Sequence, residues 1–231
     1  MLISHKYKFI FIKTRKTAST SVQELFASLM AKGDIIVPPI GRKPFRFRVE
    51  RDIGRCLPRV VRAAIFRPDR RGPHAWARRV KQRVGAEVFD SYFKFCVERE
   101  PVDKCISQYS WLKKKPPSHY SKGRFKRLTW EEFIARKELL PIDTHLFTDR
   151  DGNLMVDRIL RYENLREELQ QVLGKPDFKI YLDALPNRHK FTRTFKIDPS
   201  EAEVERIYEA FAESNRYTGY NIEDYRGGGA R

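Results

Sequence analysis

Residues 9–26 read FIFIKTRKTASTSVQELF, and this stretch decides the fold class. It begins with a short run of aromatic and β-branched residues, which predicts a strand near the centre of a sheet. Val22, Leu25, Phe26 and Leu29 then recur at the spacing of a helix that packs on a sheet. A strand, a polar turn and a helix in this order form half of a βαβ unit.

The same order of strand and helix recurs later in the chain. Residues 91–100, SYFKFCVERE, predict a second strand, and Pro101 is well placed to begin the helix that follows. Residues 153–162 predict a third strand, and a helix is predicted over 164–173. Alternating strands and helices predict an α/β fold, as a single domain with a mostly parallel central sheet flanked by helices.

Further amphipathic patterns predict helices over residues 74–85, over 129–138, where a capping-box pattern comes first, and over 199–214. We expect one domain over residues 1–225. The segment 33–73 is rich in proline and arginine and is expected to be a basic, irregular insert within that domain. The tail at 226–231 is expected to be flexible.

The chain is strongly basic, with a formal net charge of +17 over its 231 residues. Residues 41–83 hold fifteen Lys or Arg against three acids. Such a concentration of positive charge attracts polyanions, among them nucleic acids, anionic membrane surfaces, acidic glycans and nucleotide phosphates. A basic surface also keeps a protein soluble, so the charge alone identifies no partner.

Other features of the composition narrow the class of protein. The sequence has no run of 18 apolar residues, so no membrane span is expected. Its first residues form too short an apolar stretch for a signal peptide, and no small-residue cleavage site follows them. Three cysteines are sparse and odd in number, which suits a reducing compartment better than a disulfide scaffold or a zinc site. We therefore expect a cytoplasmic protein without a metal.

The turn at residues 13–21 has the chemistry of an anion site. Ligands of α/β sheets collect at the carboxyl ends of the strands, where the next helix offers free N–H groups and the positive end of its dipole. Lys13, Arg15 and Lys16 add positive charge, and four hydroxyl side chains add donors. The Gly-rich Walker A pattern is absent, which disfavours an ATPase or an ordinary P-loop kinase.

The sequence KTRKTASTSVQELF, which starts at Lys13, resembles the 5′-phosphosulfate-binding motif of sulfotransferases, and most closely that of the carbohydrate sulfotransferases. The resemblance implies the P-loop-nucleotide-kinase-like sulfotransferase fold and the cofactor 3′-phosphoadenosine 5′-phosphosulfate (PAPS). Lys16 stands where the family has the lysine that neutralises the leaving phosphate, and Arg15 replaces the proline usual before it. The cofactor-binding residues implied in this turn are Lys13, Arg15, Lys16, Thr17, Ala18, Ser19, Thr20 and Ser21.

A second motif, at residues 93–111, resembles the 3′-phosphate-binding motif of the same family. Arg99 and Ser107 match the residues that grip the 3′-phosphate there. A guanidinium offers a bidentate fork to phosphate oxygens. Ser107 lies two turns into the predicted helix, so it faces the same ligand only if the helix runs alongside it. Arg188, in LPNRHKF, is a further candidate for a contact with the cofactor or the acceptor.

The resemblance implies transfer of a sulfuryl group from PAPS to a hydroxyl or amine of a saccharide-type acceptor, with adenosine 3′,5′-bisphosphate as the product. In-line geometry and neutralised charge are the requirements of such a displacement, and Lys16 would supply the charge. A hydroxyl acceptor also needs a general base. His74 is our candidate, because it begins a predicted helix between the two motifs and related glycan sulfotransferases have a catalytic His in a comparable place. Glu98 and Glu100 are alternative bases.

The remaining histidines are interpreted as structural or surface residues, namely His5, His119, His145 and His189. Trp76 and Trp111 are candidates for the acceptor cleft, although packing in the core is the favoured interpretation.

Two other functions stay open at this point, a basic nucleic-acid-binding protein and an atypical nucleotide kinase. The sequence has no helix-turn-helix, zinc-finger or RNA-recognition pattern, so no nucleic-acid partner is expected. The expected partner is a small-molecule or glycan acceptor, and an anionic acceptor would suit the basic segment.

Overall fold

The computed structural model describes residues 1–27, 30–31, 33–36, 74–114, 125, 127–173 and 197–227. Its strands are β1 (Leu2–Ser4), β2 (Phe9–Ile12), β3 (Ile35–Ile36), β4 (Phe93–Glu98) and β5 (Arg158–Arg161). Within the described residues they form a five-stranded sheet in the order β3-β1-β2-β4-β5. The strand predicted to be central, β2, occupies the middle of this sheet.

Three neighbouring strands run parallel, and two of them carry the predicted motifs at their carboxyl ends. Strand β2 pairs with β4, where Ile12 is opposite Cys96, and β4 pairs with β5, where Glu98 is opposite Arg161. Strands β1 and β3 add an antiparallel edge. The predicted α/β fold is confirmed, with a mixed sheet, because a turn at residues 5–8 folds the chain from β1 back into β2.

The helices are α1 (Ser19–Ala27), α2 (Ala77–Val84), α3 (Ala86–Ser91), α4 (Pro101–Lys114), α5 (Trp130–Ala135), α6 (Thr144–Phe147), α7 (Leu165–Leu173), α8 (Glu201–Ala210), α9 (Ala212–Thr218) and α10 (Ile222–Gly227). The predicted capping box opens α5, where the Thr129 hydroxyl accepts a hydrogen bond from the Glu132 amide at 3.1 Å. The helix predicted over 199–214 is divided at Phe211, whose ψ of 4° interrupts the helical backbone.

Each face of the sheet buries its own apolar cluster, because alternate side chains of a strand point to opposite faces. On one face, Phe11 and Phe95 pack in a cluster with Phe26 of α1. On the other face, Ile12 packs in a cluster with Val80 of α2. Helices α1 and α2 therefore cover opposite faces of the same strands. A third cluster joins α4, α5 and α8.

The start of the predicted basic insert differs from the expectation, and most of the insert lies outside the described residues. Ile35 and Ile36 pair with β1, so the segment begins with an edge strand rather than an irregular loop. Residues 37–73 and the end of the tail, 228–231, are outside the described part.

Two further findings concern the cysteines and the helices of the described residues. Cys96 and Cys105 are buried free thiols, and Cys56 lies outside the described residues. In the part of the chain that the structure describes, no helix is long and apolar enough to cross a membrane.

Candidate active site

The turn between β2 and α1 has an unusual backbone and is tied to the neighbouring strand. Lys16 and Ala18 have positive φ angles of 62° and 52°, a conformation uncommon in residues other than glycine. The Thr14 hydroxyl donates a hydrogen bond to the Val97 carbonyl of β4. Because that bond uses its only proton, Thr14 accepts from the Thr17 hydroxyl, at 2.8 Å. The ends of β2 and β4 are thus joined through this turn.

The hydroxyl groups of the predicted anion site fall into two sets. Thr17 and Ser19 are buried, and their hydroxyls bond within the turn; the Ser19 hydroxyl donates to the Thr14 carbonyl at 2.7 Å. Thr20 and Ser21 are half-buried in the first turn of α1. The backbone N–H groups of a first helical turn have no partners within the helix. Of the four hydroxyl side chains, those of Thr20 and Ser21 are therefore better placed to meet a ligand, because they are partly exposed beside these free N–H groups.

Two of the predicted cations are turned toward the protein. The Lys13 ammonium is buried and donates to the Thr20 hydroxyl at 3.1 Å and to the Gln23 side-chain carbonyl at 2.9 Å. The Arg15 amide and Nε each donate to the Asp143 carboxylate at 2.6 Å. The structure thus gives Lys13 and Arg15 protein partners, and their role as cofactor ligands stays a prediction.

Lys16 and Arg99, the central residues of the two motifs, come together at the ends of β2 and β4. Arg99 donates from Nη1 to the Lys16 carbonyl at 3.4 Å. The Lys16 ammonium is half-buried and lies 5.7 Å from the ring centroid of Trp111. Burial and the nearby Arg99 charge lower the pKa of Lys16 to about 8. The positive charges of Lys16 and Arg99 are therefore close together, at a place that is partly shielded from solvent.

The second motif is built on β4 and α4 as predicted. Arg99 is oriented by Asp103, whose carboxylate accepts from Nη2 at 2.6 Å, and its guanidinium lies 4.2 Å from the ring centroid of Tyr162. Ser107 is half-buried on α4, one turn before Trp111. Trp111 is 39% exposed, so the expectation that it packs in the core is wrong.

His74 approaches the same turn from the start of α2. Its Nδ1 lies 2.7 Å from the Lys13 carbonyl oxygen. A carbonyl only accepts, so Nδ1 carries the proton and Nε2 keeps its lone pair. Burial lowers the pKa of His74 to about 4, although the negative charge of Asp143 opposes this. The imidazole is therefore neutral at pH 7, the protonation state that a general base requires.

The two alternative bases have structural partners. Glu98 is buried and accepts from Lys104 Nζ at 2.5 Å; burial nevertheless raises the pKa of Glu98 to about 7. Glu100 accepts hydrogen bonds from the amides of Val102 and Asp103 at the start of α4, at 2.8 and 2.7 Å. Both carboxylates thus hold the second motif together, which favours His74 over them as the base.

Sequence reasoning missed Asp143 and Lys104, which are fully buried beside the two motifs. Both look in the sequence like ordinary surface charges, because no local pattern marks a charge that is paired across the fold. Asp143, for example, bonds Arg15, which lies 128 residues away in the sequence.

The remaining candidates fall at the edge of the site or beyond the described residues. His145 is exposed, and its ring lies 5.5 Å from that of Trp76, which is half-buried. His5 bonds Tyr92 near the amino-terminal end of β2. Arg188, His119 and His189 lie outside the described residues.

The arrangement of the described side chains does not indicate a metal site. Over the described residues, no three His, Cys, Asp or Glu side chains converge as a metal site requires. That the reaction needs no metal stays a prediction.

Comparison with known proteins places the chain in a family. The sequence model of the sulfotransferase family matches residues 1–218. The chain therefore belongs to the sulfotransferase family. It is also 32% identical over 116 residues to a protein of Archaeoglobus fulgidus described as uncharacterized, a match that covers 49% of this chain and 89% of the relative. No solved structure matches.

Proposed function

We propose that this sulfotransferase moves a sulfuryl group from PAPS to a hydroxyl or amine of a saccharide-type acceptor by in-line displacement. The observation that carries the proposal lies at the ends of two parallel strands, where the Arg99 guanidinium reaches the Lys16 carbonyl and its charge lowers the pKa of the Lys16 ammonium. Asp103 already offsets part of the Arg99 charge, whereas Lys16 is destabilised by burial and by the nearby Arg99 charge, which an anion bound beside Lys16 would offset. A nucleotide with a phosphate group at each end fits this arrangement.

The residues of the site fit the donor in chemistry as well as in charge. Lys16, the N-terminus of α1 and the hydroxyls of Thr20 and Ser21 offer donors for a phosphosulfate end. Arg99 and Ser107 offer donors for a 3′-phosphate. PAPS, when bound, supplies an activated sulfuryl group whose leaving group is a phosphate.

The chain contributes charge, orientation and a proton acceptor. Lys16 and the α1 dipole stabilise negative charge that develops on the departing phosphate oxygen. His74 takes the proton of the acceptor hydroxyl at Nε2, because the Lys13 carbonyl holds the other ring nitrogen in its protonated form. Asp143 lies near enough for its charge to favour the imidazolium that results.

Binding and transfer assays test the proposal directly. Calorimetry should detect binding of adenosine 3′,5′-bisphosphate, and PAPS carrying labelled sulfur should label at least one member of a panel of neutral and anionic saccharides. Parallel assays with labelled ATP and with duplex DNA test the two other functions. Labelling from ATP would favour a kinase, and tight salt-dependent DNA binding without bisphosphate binding would favour a nucleic-acid-binding protein.

The lowered pKa of Lys16 predicts proton uptake when an anion binds. A bound phosphate stabilises the charged ammonium, so the pKa of Lys16 rises from about 8 on binding. At pH 8 the protein should take up roughly half a proton per bisphosphate bound. Calorimetry in two buffers of different ionisation enthalpy measures this uptake. The uptake should disappear in Lys16→Ala, and unchanged uptake in that variant would assign the proton to another group.

Trp111 is expected to contribute to acceptor binding, because it lies partly exposed beside Lys16 instead of packing in the core. Trp111→Ala should raise the acceptor KM roughly tenfold and leave the bisphosphate Kd nearly unchanged. Leu154, the other large exposed apolar residue of the described part, is the matched control as Leu154→Ala. A KM that stays at the wild-type value in Trp111→Ala would exclude Trp111 from the acceptor site.

A cytoplasmic location is part of the same proposal. The two buried free thiols, Cys96 and Cys105, support a reducing compartment.

A further inference from the structure

Four charged side chains form a continuous chain of ion pairs beneath the two motifs. Arg15 Nε lies 2.6 Å from one oxygen of Asp143, and Lys104 Nζ lies 3.1 Å from the other. Lys104 Nζ also lies 2.5 Å from Glu98. Asp143 and Lys104 are completely buried and Glu98 nearly so. Buried charges of this kind persist only when each has an opposite partner.

The two ends of this chain adjoin the two residues that would hold the nucleotide. Arg15 directly precedes Lys16, and Glu98 directly precedes Arg99. Glu98 is the last residue of β4 and Lys104 lies near the start of α4, so one end is fixed by regular structure. The other end is an irregular turn, and its position depends on what holds it.

Asp143 is the member of this chain of ion pairs that holds the turn beside Lys16. Besides the Arg15 side chain, its carboxylate accepts the Arg15 backbone N–H at 2.6 Å, so it fixes the main chain next to Lys16. Burial disfavours its charge, but Lys104 and Arg15 outweigh burial and lower the pKa of Asp143 to about 2. The carboxylate is therefore ionised, and the link intact, throughout the neutral pH range.

We propose that Asp143 is a positioning residue that sets the distance between Lys16 and Arg99, so that the two hold opposite ends of one nucleotide. The inference rests on the proposed function, because it assumes that a single ligand carries both phosphate groups. A ligand with one phosphate group does not depend on this distance. The ratio of the Kd values for a nucleotide with one phosphate group and a nucleotide with two therefore measures the role of Asp143.

The test compares two nucleotides in Asp143→Asn. Calorimetry gives the Kd of adenosine 3′,5′-bisphosphate and of adenosine 5′-phosphate, which lacks the 3′-phosphate. The wild type should prefer the bisphosphate. In Asp143→Asn the bisphosphate Kd should rise about tenfold, as expected for loss of a charged hydrogen-bond acceptor, while the monophosphate Kd should change less than about threefold. Amide hydrogen exchange should quicken at residues 13–18.

Asp34 offers a matched control at the other end of the sheet. It is also a buried aspartate that holds a turn through backbone amides, and it accepts the His5 N–H at 2.6 Å. Asp34→Asn should lower the melting temperature as Asp143→Asn does, but should leave both Kd values at the wild-type level. A change of selectivity in this control as large as that in Asp143→Asn would assign the effect to general destabilisation.

The remaining outcomes separate the inference from the proposed function. Equal weakening of both nucleotides by Asp143→Asn, or wild-type selectivity in the folded variant, overturns the role of Asp143 and leaves the proposed function standing. A wild type that binds neither nucleotide overturns both. If Asp143→Asn does not fold, Asp143→Glu keeps the charge but lengthens the link, and it should reduce the selectivity; unchanged selectivity overturns the inference.

Discussion

Replacing Lys16 with alanine should lower the rate of sulfuryl transfer by about a thousandfold, because the variant would lose the cation that we propose stabilises charge on the departing phosphate. Lysine and alanine meet the same strain at the positive φ of this position, so the fold of the turn should survive the change. Initial rates with labelled PAPS and a saturating acceptor measure the effect, and circular dichroism checks the fold.

Lys81 is a suitable control for this experiment. It is a lysine of the same basic protein that pairs with Asp90 on the surface, at 2.8 Å. Lys81→Ala removes the same net charge, and it should change the transfer rate less than about twofold, since a surface ion pair contributes little. Full activity in Lys16→Ala would remove Lys16 from the proposed mechanism, and an equal loss in both variants would point to net charge instead.

Replacing His74 with glutamine should lower kcat by roughly a thousandfold, within the range expected for loss of a general base. The bisphosphate Kd should stay nearly unchanged, because the His74 ring contacts the turn through the Lys13 carbonyl rather than through either cation of the anion site. A glutamine side-chain amide can still donate to that carbonyl, so the turn should be preserved. Rapid-quench kinetics and calorimetry separate the two effects.

The pH dependence adds a second check on His74. The base is active when unprotonated, so on the acid side activity should be lost only as the pH falls through about 4, the pKa of His74 in the folded protein. No break is expected near 6.5, the ordinary value for histidine. His5→Gln, at the other end of the sheet, should keep the wild-type profile. A break near 6.5 that disappears in His74→Gln would show that His74 is less buried during catalysis than in this structure.

The parts of the site that follow a local pattern could be predicted from the sequence. The turn after β2 and the strand that ends at Arg99 each combine an apolar strand with a helix start, and both lie where the pattern placed them. Parallel pairing of β2 with β4 then brings Lys16 and Arg99 together. Once these two strands are neighbours and parallel, the two residues lie close together without any further requirement.

The directions of the side chains could not be predicted in the same way. All three cations of the turn were predicted to bind the cofactor, yet Lys13 and Arg15 bond within the protein. The positive φ angles in the turn send neighbouring side chains in different directions, and nothing local indicates them. Asp143 was missed because its partners come from segments that meet only in the folded chain.

The placement of α1 and α2 on opposite faces of the sheet has a geometric consequence. Lys16 precedes α1 and His74 precedes α2, so the two residues reach the edge of the sheet from opposite flanks. In an in-line displacement the entering and departing oxygens must stand on opposite sides of the sulfur. Under the proposed function, the base His74 and the cation Lys16 therefore stand on the two sides of the sulfur that such a displacement requires, and the order of strands and helices alone would put them there.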